Sequence, residues 1–411
     1  IMAIPFFSID FNLSEWTSFF SASLGFGSRS KQEEKLLELL SNRFPEKQIT
    51  LFPSARMAFY FVLKNTFKTG DEVVFPVMGF PLYVKIALQL GLKPVYVDVE
   101  DKHFTIDSKK LDSAITTNTK GIVVTHLFGY PCNMDKVMEI ANKHSIPVIE
   151  DCAQSYDSFY KGKETGTFGY AGIFSCSLMK VPTTLGGGIL LTEDEVLHDN
   201  INTKLESGSF NKSIAFRSKY FIKNLISILN SYPVLYSLLS HRIFGLIKKK
   251  NPNTLRNILY SGMGLMDNQY DEWERPMLAH YQLSVGNVQF NKSRQMTNIR
   301  KDYTNILDEK LRDNDDYELL DTVNEDIYWN CQYYVISVEN NMDKFFNQMF
   351  DKGIHLMKED VWDCSVYKFS KDMPGNFPVA KKYNPTLIRI PNSSFLSKKD
   401  IVAIANQMNR L

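Results

Sequence analysis

Residues 147–180 read PVIEDCAQSYDSFYKGKETGTFGYAGIFSCSLMK. A short apolar run ends on an acid, Asp151, and a second one, GIFSCS at 172–177, leads into a lysine, Lys180. Outward from this stretch lie further strand-length runs: VVFP at 73–76, PVYVDV at 94–99, GIVVTH at 121–126 and GGILLT at 187–192. Helical spacing of apolar residues over Arg56–Asn65, Tyr83–Leu90 and Asp135–His144 separates them. Strands rich in valine and isoleucine that alternate with helices predict an α/β fold, with a mainly parallel sheet covered on both faces. Ligands of such sheets sit beyond the carboxyl ends of the strands. That is where Asp151, His126, Lys180 and the glycines 186–188 fall.

Each of these residues has an ordinary explanation when taken singly. A lysine in a loop is usually a solvated charge, an aspartate after a strand often caps a turn, and three glycines can be no more than a bend. Their convergence on one edge of one sheet is what points to chemistry.

Composition narrows the classes. The 411 residues carry 47 basic and 46 acidic side chains, net charge +1, which speaks against a nucleic-acid binder that must displace counterions. A hydrophobic content of 44%, with 29 Phe and 20 Tyr, excludes a disordered chain. Cys132, Cys152, Cys176, Cys331 and Cys364 are odd in number and widely spaced, with no CxxC pair. They read as reduced thiols of a cytoplasmic protein, with no metal site. The opening IMAIPFFSIDFNLSEW lacks a basic region before its apolar residues and does not read as a signal peptide.

Several ordered segments together resemble the DegT-type sugar aminotransferases, fold-type-I enzymes that use pyridoxal 5'-phosphate (PLP). They are FPSARMAFYFVLK (52–64), GDEVVFPVMGF (70–80), GLKPVYVDVEDKHFTID (91–107), the stretch from His126 through Gly169, FSCSLMK (174–180) and GNFPVAKKYNPTLIRIPNSSFLSKKDIVAIANQM (375–408). The resemblance implies a large, mainly parallel-sheet domain and a smaller α+β C-terminal domain. It implies that Lys180 forms the Schiff base with PLP and later moves protons, and that Asp151 keeps the pyridine nitrogen protonated. Gln154 matches the glutamine at the ring, Phe80 the aromatic residue that stacks on it, and Ser175 with the backbone amides of Arg56 and Met57 the phosphate-binding set. Ala55 stands where the family usually has glycine, and Cys152 where it usually has alanine, which bears on substrate shape. Lys180 argues against the dehydratase relatives that exchange this lysine for histidine. Implied partners are an amino-acid donor, glutamate, and a keto-sugar acceptor linked to a nucleotide, in a homodimer with shared sites. The usual substrate histidine is missing from VWDCSVYKFSKD (361–372).

One segment stands outside the resemblance. Ser207–Met266 has no acid and nine basic residues, so the other 351 residues carry −8. Within it, residues 220–250 (YFIKNLISILNSYPVLYSLLSHRIFGLIKKK) are strongly apolar and broken at Pro233. The two halves, roughly 25 and 21 Å as helices, are short for a bilayer core of about 30 Å. A basic apolar hairpin of this kind reads as a peripheral contact with an anionic membrane through residues 216–250. The other reading is a helical pair buried against the body or a dimer partner. The expected organisation is an N-terminal arm (1–30), a PLP-binding domain (31–206), the insert (207–266) and a C-terminal small domain (267–411). Two rivals accompany the keto-sugar aminotransferase: one acting on a lipid-linked or membrane-embedded carbonyl, and a non-catalytic scaffold of the same family.

Overall fold

In the computed structural model, which describes residues 2–207, 214–250, 277–320, 324–339, 341–371, 373 and 375–411, six of the apolar runs join a seventh strand in one sheet. The strands are β1 (Gln48–Phe52), β2 (Glu72–Pro76), β3 (Lys93–Val97), β4 (Thr119–Thr125), β5 (Val148–Asp151), β8 (Ala171–Ser175) and β9 (Gly188–Thr192); a small hairpin, β6 (Phe159–Tyr160) and β7 (Lys163–Glu164), lies between β5 and β8. Their spatial order is β1-β9-β8-β5-β4-β2-β3. The pairs β2–β3, β2–β4, β4–β5 and β5–β8 are parallel, while β9 is antiparallel to both β8 and β1.

Alternation along the strands feeds two cores, as the pleat requires. Val73, Phe75 and Ile149 face a cluster with Phe59 and Val62 of helix α3 (Ala55–Thr66) and Val84 of α4 (Pro81–Gln89). Val74, Ile122 and Val148 face the other side, against Leu111 of α5 (Ser108–Ala114) and Val137 of α6 (Met134–His144). A one-residue slip in any of these strands would exchange the two sets.

The smaller sheet has the order β10-β12-β14-β13, from Glu318–Leu319, Tyr334–Ser337, Leu387–Ile390 and Met357–Lys358, all antiparallel; β11 (Ile327–Tyr328) pairs with β6 of the large domain. Ile336 and Ile388 bury against Leu307 and Leu311 of the helix Ser293–Leu311 and Ile401 and Met408 of the helix Lys398–Met408.

The N-terminal residues cross both units. Ile4 N–H donates to Gly353 O at 2.7 Å and its carbonyl accepts from His355 N–H at 2.9 Å. Helix α1 (Leu13–Ser23), with Phe19 buried, then packs beside the helix His280–Asn291.

The basic segment forms helix Ile214–Leu229, a turn, and helix His241–Lys250, with Pro233 at the start of the second half. Proline there supplies a preset φ and needs no hydrogen bond. Residues 208–213 and 251–266 of the expected insert, with Lys212 and Arg256, lie outside the described residues, as does Asp372. One side of the hairpin docks on the body. Ile228 and Tyr236 are fully buried, Asn224 Nδ2 donates to Tyr281 Oη at 3.2 Å, and Tyr232 Oη donates to Phe11 O at 2.6 Å. The other side is open, with Ile226 60%, Leu239 60% and Leu246 64% exposed. No helix among the described residues is long and apolar enough to cross a membrane.

Candidate active site

Asp151 is the last residue of β5 and is buried. Its Oδ1 accepts from Ala153 N–H at 3.0 Å, and Oδ2 accepts from Thr125 Oγ1, on the paired strand, at 3.4 Å. Burial pushes its carboxyl up to about 6, against the opposing pull of the Ala153 amide and of the charge on Lys180. Two donors and one nearby lysine do not restore the ordinary range. The buried carboxylate is short of a cationic partner.

Lys180 reaches the same region from the loop after β8, and its Nζ donates to Tyr333 Oη at 3.0 Å. Tyr333 comes from the small domain, just before β12. Burial raises a phenol, but here the charges of Lys180 and Arg389 outweigh it and hold the Tyr333 hydroxyl below its usual range. The Arg389 guanidinium lies 4.1 Å from the Tyr333 ring centre, and its Nε stands 3.1 Å from Glu359 Oε1, out of line for a hydrogen bond. Trp362 Nε1 donates to Glu359 Oε2 at 2.6 Å. A buried polar line thus runs from Lys180 through Tyr333 and Arg389 to Glu359 and Trp362, across the two domains. A small cleft is lined by Lys180, Tyr333 and Arg389 together with Phe6 to Asp10 of the arm.

The start of α3 lies at the same sheet edge. Ser54 is its N-cap and forms a bridge to Gly187, and the β1 and β8 ends, Phe52 and Ser175, both register with Gly188. A β-carbon at Gly188 would lie 2.4 Å from the Ala55 nitrogen. Glycine here is what allows the helix start to approach the sheet, and two left-handed glycines, Gly186 (φ +133°) and Gly187 (φ +124°), lead into it. The triple glycine is therefore more than a bend. Ser54 Oγ accepts from Met57 N–H at 3.3 Å, so one of the two amides expected for phosphate already has a partner, though a long one.

Gln154 Oε1 accepts from Phe128 N–H at 2.8 Å, which orients the amide and leaves Nε2 as its donor. Phe80 caps α4, half-buried, with its ring 6.5 Å from that of Trp362. Its neighbour Gly79 sits against Thr125, since a β-carbon there would be 3.3 Å from Thr125 Oγ1, the group bound to Asp151. Small-domain residues run alongside: Gly79 N–H donates to Trp362 O at 3.0 Å and Cys364 N–H to Val77 O at 2.8 Å. This puts the 361–366 segment beside Phe80.

The segment Trp329–Tyr333 is a part of the site that sequence patterning missed. Asn330 Nδ2 donates to Gln154 O at 2.9 Å and to Tyr156 O at 2.8 Å, and Gln332 Nε2 donates to Met179 O at 3.0 Å. Small-domain amides therefore tie down the backbone of both the Gln154 and the Lys180 loops. Two side-chain amides between buried aromatic residues were the available signal.

His126 does not join this set. Its Nδ1 accepts from Cys132 N–H at 3.0 Å, so the ring proton sits on Nε2, 3.2 Å from Glu150 Oε2. Glu150 also accepts from the amides of Gly166, Phe168 and Gly169 at 2.7–2.8 Å. His126, Glu150 and Cys152 lie close enough to hold a metal ion, but the carboxylate is saturated by N–H donors and burial keeps the Cys152 thiol protonated. The cluster is an anchor for β5.

Over 130 residues the chain is 38% identical to the GDP-perosamine synthase of Escherichia coli O157:H7, covering 32% of this chain and 36% of that one. Over 142 residues it is 37% identical to the UDP-N-acetyl-3-dehydro-alpha-D-glucosamine 3-aminotransferase of Acidithiobacillus ferrooxidans, 34% of this chain and 38% of that one. The chain thus spans about a third of the length of these curated relatives. In fold it is similar to an aminotransferase of Helicobacter pylori involved in pseudoaminic acid biosynthesis (TM-score 0.76, 18% identity, 99% of this chain and 98% of that one). It is also similar to a sugar aminotransferase of Micromonospora echinospora (TM-score 0.72, 18% identity, 99% of each). The family model matches residues 33–224 and 274–409, skipping most of the basic hairpin, and the chain belongs to the DegT/DnrJ/EryC1/StrS aminotransferase family, whose cofactor is PLP.

Proposed function

We propose that this chain is a PLP-dependent aminotransferase that moves an amino group from glutamate to a keto-sugar carried on a nucleotide. The observation that carries the reading is the meeting of Lys180, the charge-deficient buried carboxylate of Asp151 and the start of α3 at one sheet edge. PLP suits these residues, because a protonated pyridine nitrogen is the cation that Asp151 lacks. Bound, PLP supplies an electron sink for the carbon that loses its proton.

The chain's own residues divide the remaining work. Lys180 holds and moves the proton, with Tyr333 Oη keeping its Nζ in place. Asp151 would hold the ring at its nitrogen, Gln154 Nε2 would be free to donate to the phenolic oxygen, and Phe80 would pack against the ring. Ser175 and the Arg56 and Met57 amides would hold the phosphate, which Met57 N–H could reach by giving up its long bond to Ser54. In this reading residues 31–206 hold the cofactor, 267–411 close over it, and two copies pair to complete the sites. A nucleotide-linked acceptor is supported by the names of two relatives, which carry GDP and UDP sugars. One further relative is a GDP-4-keto-6-deoxy-D-mannose 3-dehydratase of Yersinia pseudotuberculosis, 36% identical over 141 residues; the lysine at 180 favours transamination instead.

The test is spectroscopic. Purified protein is expected to take up PLP and turn yellow, to bleach with glutamate, and to recover its colour on addition of a nucleotide-linked keto-sugar. Lys180→Ala is expected to abolish the bleaching. A wild-type protein that stays colourless with added PLP overturns the proposal and supports the scaffold reading. The open aliphatic side of the 216–250 hairpin favours a second acceptor, a carbonyl sugar carried on a lipid. Turnover of lipid-linked but not nucleotide-linked keto-sugars distinguishes it.

A further inference from the structure

We propose that the outward side of the 216–250 hairpin is a docking surface for an anionic lipid bilayer, on which the protein lies without crossing it. This goes beyond the transamination chemistry and stands independently of it.

The first argument is what the surface is made of. Between Arg217 and Lys248, fourteen residues are exposed: nine are isoleucine, leucine or valine, four are lysine or arginine, and one is Ser218. None is acidic, aromatic or an amide. Ordinary protein interfaces draw their anchors from tyrosine, tryptophan and arginine, set among hydrogen-bonding groups. An aliphatic surface edged only by cations fits acyl chains below and phosphate headgroups around them.

The second argument is geometric. Ile222, Ile226 and Leu229 recur at helical spacing along one side of the first helix, and Leu239, Ile243 and Leu246 repeat that spacing in the second half. Lys219 and Lys223 each lie three residues before an isoleucine of this stripe, so they flank it, and Arg242 directly precedes Ile243. Long cationic side chains in this position can extend to headgroups while their stems stay on apolar surface. The opposite side of the hairpin is already occupied by the protein. Asn224, Ile228, Ser231 and Tyr236 are buried there, Ser231 Oγ accepts from Ile9 N–H at 2.9 Å, and Lys248 pairs with Asp351 at 2.8 Å. Among the described residues, the body packs on that opposite side and leaves the outward side open.

Length and charge complete the case. A first helix of 16 residues is about 24 Å long, suited to lying in the interface plane, and the break at Pro233 lets both halves lie there. Arg217, Lys219, Lys223 and Arg242 are exposed on the hairpin, in a sequence whose residues outside Ser207–Met266 carry −8, so attraction to an anionic plane is concentrated here. That same acidic remainder would repel the plane, which orients the molecule with the hairpin down.

The experiment is flotation of the full chain with vesicles of phosphatidylcholine alone and of phosphatidylcholine mixed with phosphatidylglycerol. Binding is expected to the mixed vesicles, to weaken with salt, and to be much lower on phosphatidylcholine alone. The double variant Ile226→Glu/Leu239→Glu is expected to lose binding. Lys219→Glu/Arg242→Glu is expected to reduce the partition coefficient at least roughly 20- to 30-fold. All four positions are exposed, so PLP uptake and thermal unfolding should match wild type and report that the variants are folded. Absence of wild-type binding to mixed vesicles overturns the proposal, as does binding that neither double variant changes. So does a lipid-free wild-type oligomer that dissociates in Ile226→Glu/Leu239→Glu, since the surface would then join two copies of the chain.

Discussion

Asp151 shows how much of a candidate site residue's character comes from burial. An unfolded aspartate titrates near about 3.9, whereas in the folded, cofactor-free protein burial raises this one to about 6. Between these values the folded state holds more protons than the unfolded, so stability declines as pH rises through that window and stays lower above it. Asp151→Asn is therefore expected to stabilise the cofactor-free protein at about pH 8, by roughly 1–3 kcal/mol, and to give little near pH 4. Urea unfolding at the two pH values measures this, and the same variant should lose PLP affinity and turnover. Tyr333→Phe is expected to leave PLP uptake intact and to slow transamination about 10-fold or more, because Lys180 Nζ loses the group that positions it. Single-turnover bleaching rates with glutamate check it. Asp151 and Lys180 stand out in the sequence because each follows an apolar run, whereas Gln154, Phe80 and Ser175 are candidates only through the family resemblance. Tyr333 and Arg389 do not stand out, since both come from the other domain and nothing local ties them to a lysine more than 150 residues earlier.

At the level of elements, the meeting of α3 with β9 is the part most sensitive to a single atom. Gly188→Ala would set a β-carbon 2.4 Å from backbone, the Ala55 nitrogen, and backbone cannot swing aside as a side chain can. The expected cost is about 1–3 kcal/mol, with weaker PLP binding, read by thermal unfolding and by titration with PLP. Ser54→Ala acts differently. Loss of the N-cap should cost about 1 kcal/mol in the cofactor-free protein, and added inorganic phosphate should recover part of it, because the anion can take the Met57 N–H that the serine releases. Six strands of the large sheet are readable as apolar runs, but β1 is not conspicuous: QITLF is short and stands directly before a helix. The reversal of β9 is also invisible, since a period of two marks a strand without giving its direction.

For the molecule as a whole, the buried line from Lys180 to Glu359 and the backbone bonds between 77–79 and 362–364 make the domains one cooperative unit. Arg389→Ala would strand the Glu359 carboxylate, already raised by burial, and is expected to cost about 3–5 kcal/mol. Pairing it with Glu359→Gln should restore much of that loss, and chemical denaturation of the single and double variants measures the coupling. The sequence balance of +1 is an average over an acidic body and one basic hairpin. That hairpin's composition was legible, while its two-sidedness was not. Which isoleucines turn inward depends on Tyr281, Phe11 and His355, remote in sequence.

The arm has a consequence for how this chain comes to be folded. Its residues 3–11 bond to Ser231, Tyr232 and Ser237, to Gly353 and His355, and to Ser393, partners that lie more than 220 positions later. Contacts of such separation close long loops and form slowly. During synthesis residues 3–11 are thus made well before the partners that seat them. Until residues 231–232 are made, Ile9 and Phe11, buried in the finished protein, lack their bonding partners, and Ile4 waits for 353–355. A ribosome-bound chain of this kind leaves that apolar stretch open to chaperones while the intervening residues are made.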